Sequence, residues 1–254
     1  MDTAGKRALV ERFFSGTGPT YDLVVRLATL GIDPRWKRTI IDYIPEGATR
    51  VLDLACGTGI LTLEIARRFP EARVVGVELR EEYLSFARKK VASHGVRNVE
   101  LVHSAAEDYH SHAPFDAVVS SYLAKYAELD RLTRHTAAML RPGGLVLMHD
   151  FTYPTSRALV TTWRAYLGLL RIAGTPLLPA WREIFAGLAS VIERTRWTDE
   201  LIGALEAGDF QKIQMRYLTA RGSAIVSAFR PAASGPAQTT PSSSPAARHP
   251  RPDG

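Results

Sequence analysis

Residues 51–59 read Val-Leu-Asp-Leu-Ala-Cys-Gly-Thr-Gly, and no other stretch restricts the fold of this chain so tightly. The short apolar run at 51–54 fits a buried strand, and Gly57 and Gly59 supply a tight turn. Residues 60–69 then carry the spacing of a helix. A strand, a glycine turn and a helix in that order let the backbone come close to a bound molecule. The same rhythm continues to Phe151, with strands expected at 51–54, 73–77, 99–102, 117–120 and 145–148 and helices between them at 61–68, 82–93 and 131–140. Strands alternating with helices specify a doubly wound, Rossmann-like α/β sheet, mostly parallel and covered on both faces. Ligands of such sheets sit beyond the C-terminal ends of the strands, so residues at strand ends weigh most.

The flanks divide the chain into three parts. Helical spacing at 8–14 and 21–30 places a helical lid in residues 1–49, folded over the open edge of the sheet. The Rossmann-like domain spans 50–229, with further helices at 157–172 and 180–191 and a closing antiparallel pair at 212–218 and 224–229. Residues 230–254, rich in Pro, Ser and Ala, bury too little apolar area to offset their ordering entropy and read as a disordered tail. With 254 residues and 46% hydrophobic content the chain can bury a full-sized core. Its net charge of +6 is spread along the sequence, which argues against a nucleic-acid partner and only mildly favours contact with an anionic membrane surface. Cys56 is the single cysteine and the N-terminus lacks a signal pattern, so a cytoplasmic protein is expected, with at most peripheral contact at the inner membrane face. The most apolar region, 165–192, is interrupted by Arg171, Pro176, Pro179 and Arg182 and cannot span a bilayer. No cluster of His, Cys and carboxylates with metal-ligand spacing is present in the sequence.

The ligand class turns on two acids. A dinucleotide fingerprint wants a third glycine where this chain has Thr62. Asp53, just before the turn, would repel a pyrophosphate but attract the α-ammonium of an amino-acid ligand, which favours S-adenosylmethionine. Glu78 closes the second strand 21 residues after Gly57, where a carboxylate can accept hydrogen bonds from both ribose hydroxyls of either cofactor. The plainer alternatives are that Asp53 serves the helix dipole and that Glu78 is an exposed turn acid.

Taken in order, "VLDLACGTG", "VVGVE", "RNVELVHSAAED", "FDAVVSS" and "LRPGGLVLMHDF" resemble the motifs of class I S-adenosylmethionine-dependent methyltransferases. The N-terminal "YDLVVRLATLGIDPRWKRTII" and the later "DFTYP" and "MRYLTARGSAIV" are similar to segments of the ubiquinone/menaquinone biosynthesis C-methyltransferases. The resemblance implies an S-adenosylmethionine cofactor and, as acceptor, a lipophilic demethylmenaquinol-like isoprenoid quinol. Cofactor-binding positions implied are Tyr21, Asp53, Ala55, Gly57, Gly59, Glu78, Leu79, Ala106, Glu107 and Ser121. Where that family carries "GLRN" after the fourth strand, this chain reads Ser121-Tyr122-Leu123-Ala124-Lys125-Tyr126, so Lys125 stands in for an arginine without its planar fork. Ala105 occupies a place where the family has Asp or Asn near the adenine, leaving the base to the Ala106 backbone and Glu107.

Methyl transfer from a sulfonium is an in-line displacement that asks for alignment and exclusion of water. For a quinol ring carbon, the resemblance implies that deprotonation of the neighbouring hydroxyl activates the ring. Tyr122, Lys125 and Asp150 are the expected catalytic residues, with His149 a further candidate base. Trp36 reads as an anchor for the lid, beside Lys37, and Cys56 as a packing residue. The apolar stretch 167–192, with Trp163, Trp181 and Phe185, reads first as core and second as a greasy passage for a prenyl tail. Other readings are a methyltransferase for another small phenol, amine or lipid acceptor, a nicotinamide-dependent oxidoreductase, and a non-catalytic cofactor-binding protein.

Overall fold

Residues 3–232 are described in the computed structural model of the chain, so most of the expected tail at 230–254 lies outside the described residues. Seven strands form one sheet in the order β3-β2-β1-β4-β5-β7-β6. β1 (Arg50–Leu54) sits between β2 (Arg73–Glu78) and β4 (Phe115–Ser121), and pairs in parallel with both. β3 (Val99–His103) and β5 (Leu140–Phe151) extend the parallel set outward. β7 (Ser223–Phe229) is antiparallel to β5 and to the edge strand β6 (Gln211–Leu218), which is the closing pair expected from sequence.

The central strands are buried on both faces, which is why they read as continuous apolar runs rather than alternating ones. On one face Leu52, Val75, Phe115 and Val118 pack against Leu132 of α6 (Leu129–Met139) and Trp197 and Leu201 of α9 (Trp197–Ala207). On the other, Val51, Val74 and Val119 meet Ile40 of α3 (Asp33–Tyr43) and Ile65 of α4 (Ile60–Arg68). Strand order reverses between β1 and β4, so the connections after these strands diverge and open a crevice at their C-terminal ends.

Around that crevice lie α1 (Thr3–Phe14), α2 (Tyr21–Ala28), α5 (Glu81–Ser93), α7 (Arg157–Leu177) and α8 (Arg182–Arg194). The sequence pattern did not give α3 or α9. α3 begins with Asp33-Pro34 and carries three further charges in its first turns, and its buried stripe mixes Asp33 and Lys37 with Trp36, Ile40 and Ile41. α9 hides its stripe behind Thr198, Asp199 and Glu200, although Trp197, Leu201, Ala204 and Leu205 recur at helical spacing. β5 starts five residues before the expected 145, with a register irregularity between Phe115 and Ala117 of β4. α7 runs beyond the expected 172 to Leu177, and a short turn at Pro179–Trp181 precedes α8. None of the residues of α7 is buried, which corrects the reading of 167–172 as core.

Gly59 explains the tightness of the first turn. Its φ is 80°, and a Cβ there would stand 3.1 Å from Cβ of Ala87 on α5. The glycine lets α4 start against α5 and hold the turn in place. Gly59→Ala is expected to lower stability by about 1–3 kcal/mol, from left-handed backbone strain and the crowded contact. A urea midpoint within error of the wild type would remove that role.

Candidate active site

Three cavities meet at the C-terminal ends of β1 and β4. The first runs from the glycine turn over β2 and is roofed by Val10 and Phe14 of α1. Tyr21, Ala55, Gly57 and Glu78 line it, as do Leu79, Ala106, Glu107 and Ser121. Eight of the ten expected cofactor positions are thus brought to one wall. Glu78 is 8% exposed. Its Oε2 accepts the Gly57 N–H at 3.0 Å and its Oε1 the Arg80 N–H at 2.9 Å. Burial pushes its pKa up, and the backbone donors Arg80 and Gly57 oppose the shift.

The third and smallest cavity holds Asp53 and Lys37 beside Ala55, Gly57 and Ser121. Asp53 is 1% exposed, and its Oδ2 accepts the Thr62 hydroxyl at 2.6 Å. Thr62, the residue that breaks the dinucleotide fingerprint, is therefore the support of the acid. Burial raises the Asp53 pKa to about 7 against the opposing pull of the Thr62 hydroxyl and the Lys37 charge. Lys37 is itself buried and its Nζ donates to Asp33 Oδ1 at 2.5 Å. The same oxygen accepts the Tyr122 hydroxyl at 2.7 Å. Gly59 lines none of the three cavities; it packs behind the turn.

The second cavity is apolar. Val24, Val25 and Ala28 of α2 face Leu167 and Leu170 of α7, and Trp181, Ile184 and Phe185 close the far side. Lys125 is the one charged side chain in the lining. Its ammonium donates to Asp150 Oδ1, its backbone N–H to Asp150 Oδ2 at 3.2 Å, and the Tyr126 ring centroid is 4.6 Å from Nζ. The rings of Tyr122 and Phe151 each lie 5.5 Å away. Both partners are nearly sealed from water, at 2% and 0% side-chain exposure. Burial pulls the Lys125 pKa down, against the opposing charge of Asp150. Asp150 lines none of the cavities and reaches them only through Lys125.

Tyr21 and Tyr122 line all three cavities. Tyr122 has a φ of 71°, is stacked on Phe151 at 4.8 Å and donates its hydroxyl to Asp33. Burial, followed by the Asp33 charge, lifts its pKa far above that of a free phenol, so the hydroxyl stays a donor and cannot serve as a base. Tyr21 stacks on Trp181 with centroids 6.0 Å apart and meets Tyr83 edge-on at 5.1 Å. His149 is completely buried, with Nδ1 3.0 Å from the Ser121 hydroxyl and Nε2 unpartnered. Burial and the charges of Lys37 and Lys125 keep it neutral, and it touches none of the cavities. Trp36 anchors α3 by donating Nε1 to Thr219 at 2.9 Å, as expected. The sequence reading missed Phe14, Tyr83, Tyr126 and Asp33. Only Asp33 left a local signal, as the partner four residues before Lys37 on one helix face.

A family profile for the methyltransferase domain matches residues 51–144. A demethylmenaquinone methyltransferase from Thermus thermophilus is 34% identical over 155 residues, covering 60% of this chain and 70% of that protein. The ubiquinone/menaquinone biosynthesis C-methyltransferase UbiE of Syntrophotalea carbinolica is 32% identical over 215 residues, covering 81% and 87%. The chain belongs to the ubiquinone/menaquinone biosynthesis C-methyltransferase family. Among solved structures it is similar in fold to the S-adenosylmethionine-dependent methyltransferase SibL, at a TM-score of 0.57 and 18% identity, covering 80% of this chain and 57% of that one. Phosphoethanolamine N-methyltransferase 2 of Haemonchus contortus, solved with S-adenosylmethionine, gives 0.58 and 15%, covering 78% and 52%. Like its family, the protein is an S-adenosylmethionine-dependent methyltransferase. The donor set fits that cofactor: a carboxylate for ribose hydroxyls in the first cavity, and a carboxyl with an ammonium for the two charges of an amino acid in the third.

The buried pair at Lys125 makes a stability prediction. Lys125→Met leaves the Asp150 charge held only by the backbone N–H groups of residue 125 and Phe151 and is expected to cost about 3–5 kcal/mol, whereas Lys125→Met with Asp150→Leu should recover most of the loss. Urea unfolding of both variants checks this; a single variant as stable as the wild type would mean the pair contributes nothing.

Proposed function

We propose that the protein methylates a ring carbon of a demethylmenaquinol-like isoprenoid quinol. The observation that carries this reading is the apolar second cavity with its lone charge, Lys125, which shares the Tyr21 and Tyr122 walls with the cavity expected to take the cofactor. An apolar chamber suits an aromatic ring with a prenyl tail, and a single ammonium suits the ring's oxygen. The names of the relatives from Thermus thermophilus and Syntrophotalea carbinolica support the same acceptor class.

The bound sulfonium supplies the electrophilic methyl group. Glu78 holds the ribose hydroxyls in this reading, Asp53 the α-ammonium, and Ala106 and Glu107 the adenine, while Leu79, Ala55, Gly57 and Ser121 shape the walls and Gly59 keeps the turn compact. Lys125 favours the ionised form of the acceptor hydroxyl. Asp150 offsets part of that charge, so the pull on the oxygen is that of an ion pair's cationic end and of its N–H donor rather than of an isolated cation. The hydroxyl proton leaves to solvent, the enriched ring carbon takes the methyl with S-adenosylhomocysteine as leaving group, and the ring proton follows to solvent. Asp150 is a positioning residue that fixes Lys125 from behind. Tyr122 contributes its ring as a wall, since its hydroxyl is committed to Asp33. A cationic amine acceptor is disfavoured by the Lys125 charge; a smaller phenol is the remaining alternative.

Incubation with methyl-labelled S-adenosylmethionine and demethylmenaquinol should place label on a ring carbon by mass spectrometry, and label only on another small molecule would overturn the acceptor. The cofactor role of Asp53 has a separate signature. With a pKa of about 7 the carboxyl is mostly protonated at pH 6, and an ammonium beside it favours the ionised form, so binding should release close to one proton. Calorimetry of S-adenosylhomocysteine binding in buffers of different ionisation enthalpy reads this release. Asp53→Asn should abolish it and weaken binding about tenfold, the scale of a charge-assisted hydrogen bond; unchanged affinity would refute the assignment.

A further inference from the structure

We propose that the outward faces of α2 and α7 form a docking surface for an anionic phospholipid bilayer, arranged around the apolar second cavity. Among the described residues, nine large hydrophobic side chains are exposed, and seven of them lie on α7 or on α2 and the turn that follows it. On α2 and its turn these are Leu23, Leu27 and Leu30, the last 70% exposed. On α7 they include Leu169, with Ile172 and Leu177 at 77% and 79%. Clustering of this kind marks an interaction surface, because single exposed leucines are otherwise scattered.

The two helices adjoin. The Tyr166 hydroxyl donates to the Leu27 carbonyl, and Val24 and Val25 face Leu167 and Leu170 across the cavity. Each helix therefore turns one apolar side to the cavity and a second to the outside. A helix that met only water on its outer face would carry charges of both signs there.

α7 carries a different pattern. Its 21 residues contain no acid, and Arg157, Arg164 and Arg171 recur every seven residues, which sets them in a stripe along one side. Arg26 is exposed on α2. The nearby acids are engaged: Glu193 by Arg164, at 2.5 Å, and Asp22 by Lys90 and Thr58. Exposed leucine and isoleucine beside an arginine stripe is the arrangement of a helix lying in a lipid headgroup layer. Among the described residues no helix is long and apolar enough to cross a membrane, so the contact is with the surface. The chain also leaves β7 away from this face, since the Arg230 N–H bonds the Gly144 carbonyl at the N-terminal end of β5, opposite the cavities. The arginine stripe selects an anionic lipid surface.

The lipophilic acceptor gives this surface its purpose, and in that respect the inference rests on the function proposed above; vesicle binding needs no acceptor and is measured alone. The full chain should sediment with phosphatidylcholine vesicles containing phosphatidylglycerol, more weakly as salt rises, and little with phosphatidylcholine alone. Each neutralised arginine is worth about fivefold in binding, so Arg157→Gln with Arg171→Gln should lower it at least tenfold. Leu169→Ser with Ile172→Ser should do the same, and S-adenosylhomocysteine affinity should stay at the wild-type value in both variants. Failure of the wild type to sediment, or sedimentation of both variants at the wild-type level, overturns the surface. A wild-type dimer that the same variants dissociate also overturns it, by assigning the face to a second copy. Vesicle binding without quinol methylation would keep the surface and discard the acceptor, and methylation without vesicle binding would do the reverse.

Discussion

Two parallel strands buried on both faces, β1 and β4, send their following connections to opposite sides of the sheet, and the rest of the molecule is arranged around the gap this leaves. The gap cannot be filled by the sheet itself, because backbone at the strand ends turns away in both directions. Side chains from α1, α2, α3 and α8 close it instead. Each cavity inherits its character from the elements that reach it. Strand ends supply the acids Asp53 and Glu78, while the helices supply mostly apolar walls.

Burying charge in such a place carries a cost that must be met locally. Asp53 is supported by the Thr62 hydroxyl, Lys37 by Asp33, and Lys125 by Asp150 and three aromatic rings. Desolvation still dominates the shifts at Asp53 and Lys125, each of which is pushed toward its neutral form. A group held in that condition gains more from a charged ligand than a solvated group does, because it has little hydration left to lose on binding.

Much of the architecture was legible in local patterns. The strand and turn at 51–59, the acid that ends β2 and the antiparallel closure by β7 all follow from period, apolar runs and glycine. What escaped depends on contacts between distant parts of the chain. Asp33 and Lys37 look like a solvated pair on a charged helix until Tyr122, 89 residues from Asp33, joins them in the interior. The stretch 167–172 looks like core because it is apolar, yet its helix finds no partner on its outer side. Phe14 carries no motif at all, and its place in the site is set by how α1 folds back over the sheet.

Tyr21 borders all three cavities, and its ring is held by edge and face contacts with Phe14, Tyr83 and Trp181. A shared wall ties the occupancies of neighbouring chambers to one another. Whatever displacement one ligand imposes on the ring alters the second ligand's affinity by a factor that the second must return in equal measure. The phenyl ring of a single tyrosine thereby gives this small catalyst the means to sense, from one chamber, whether the other is full.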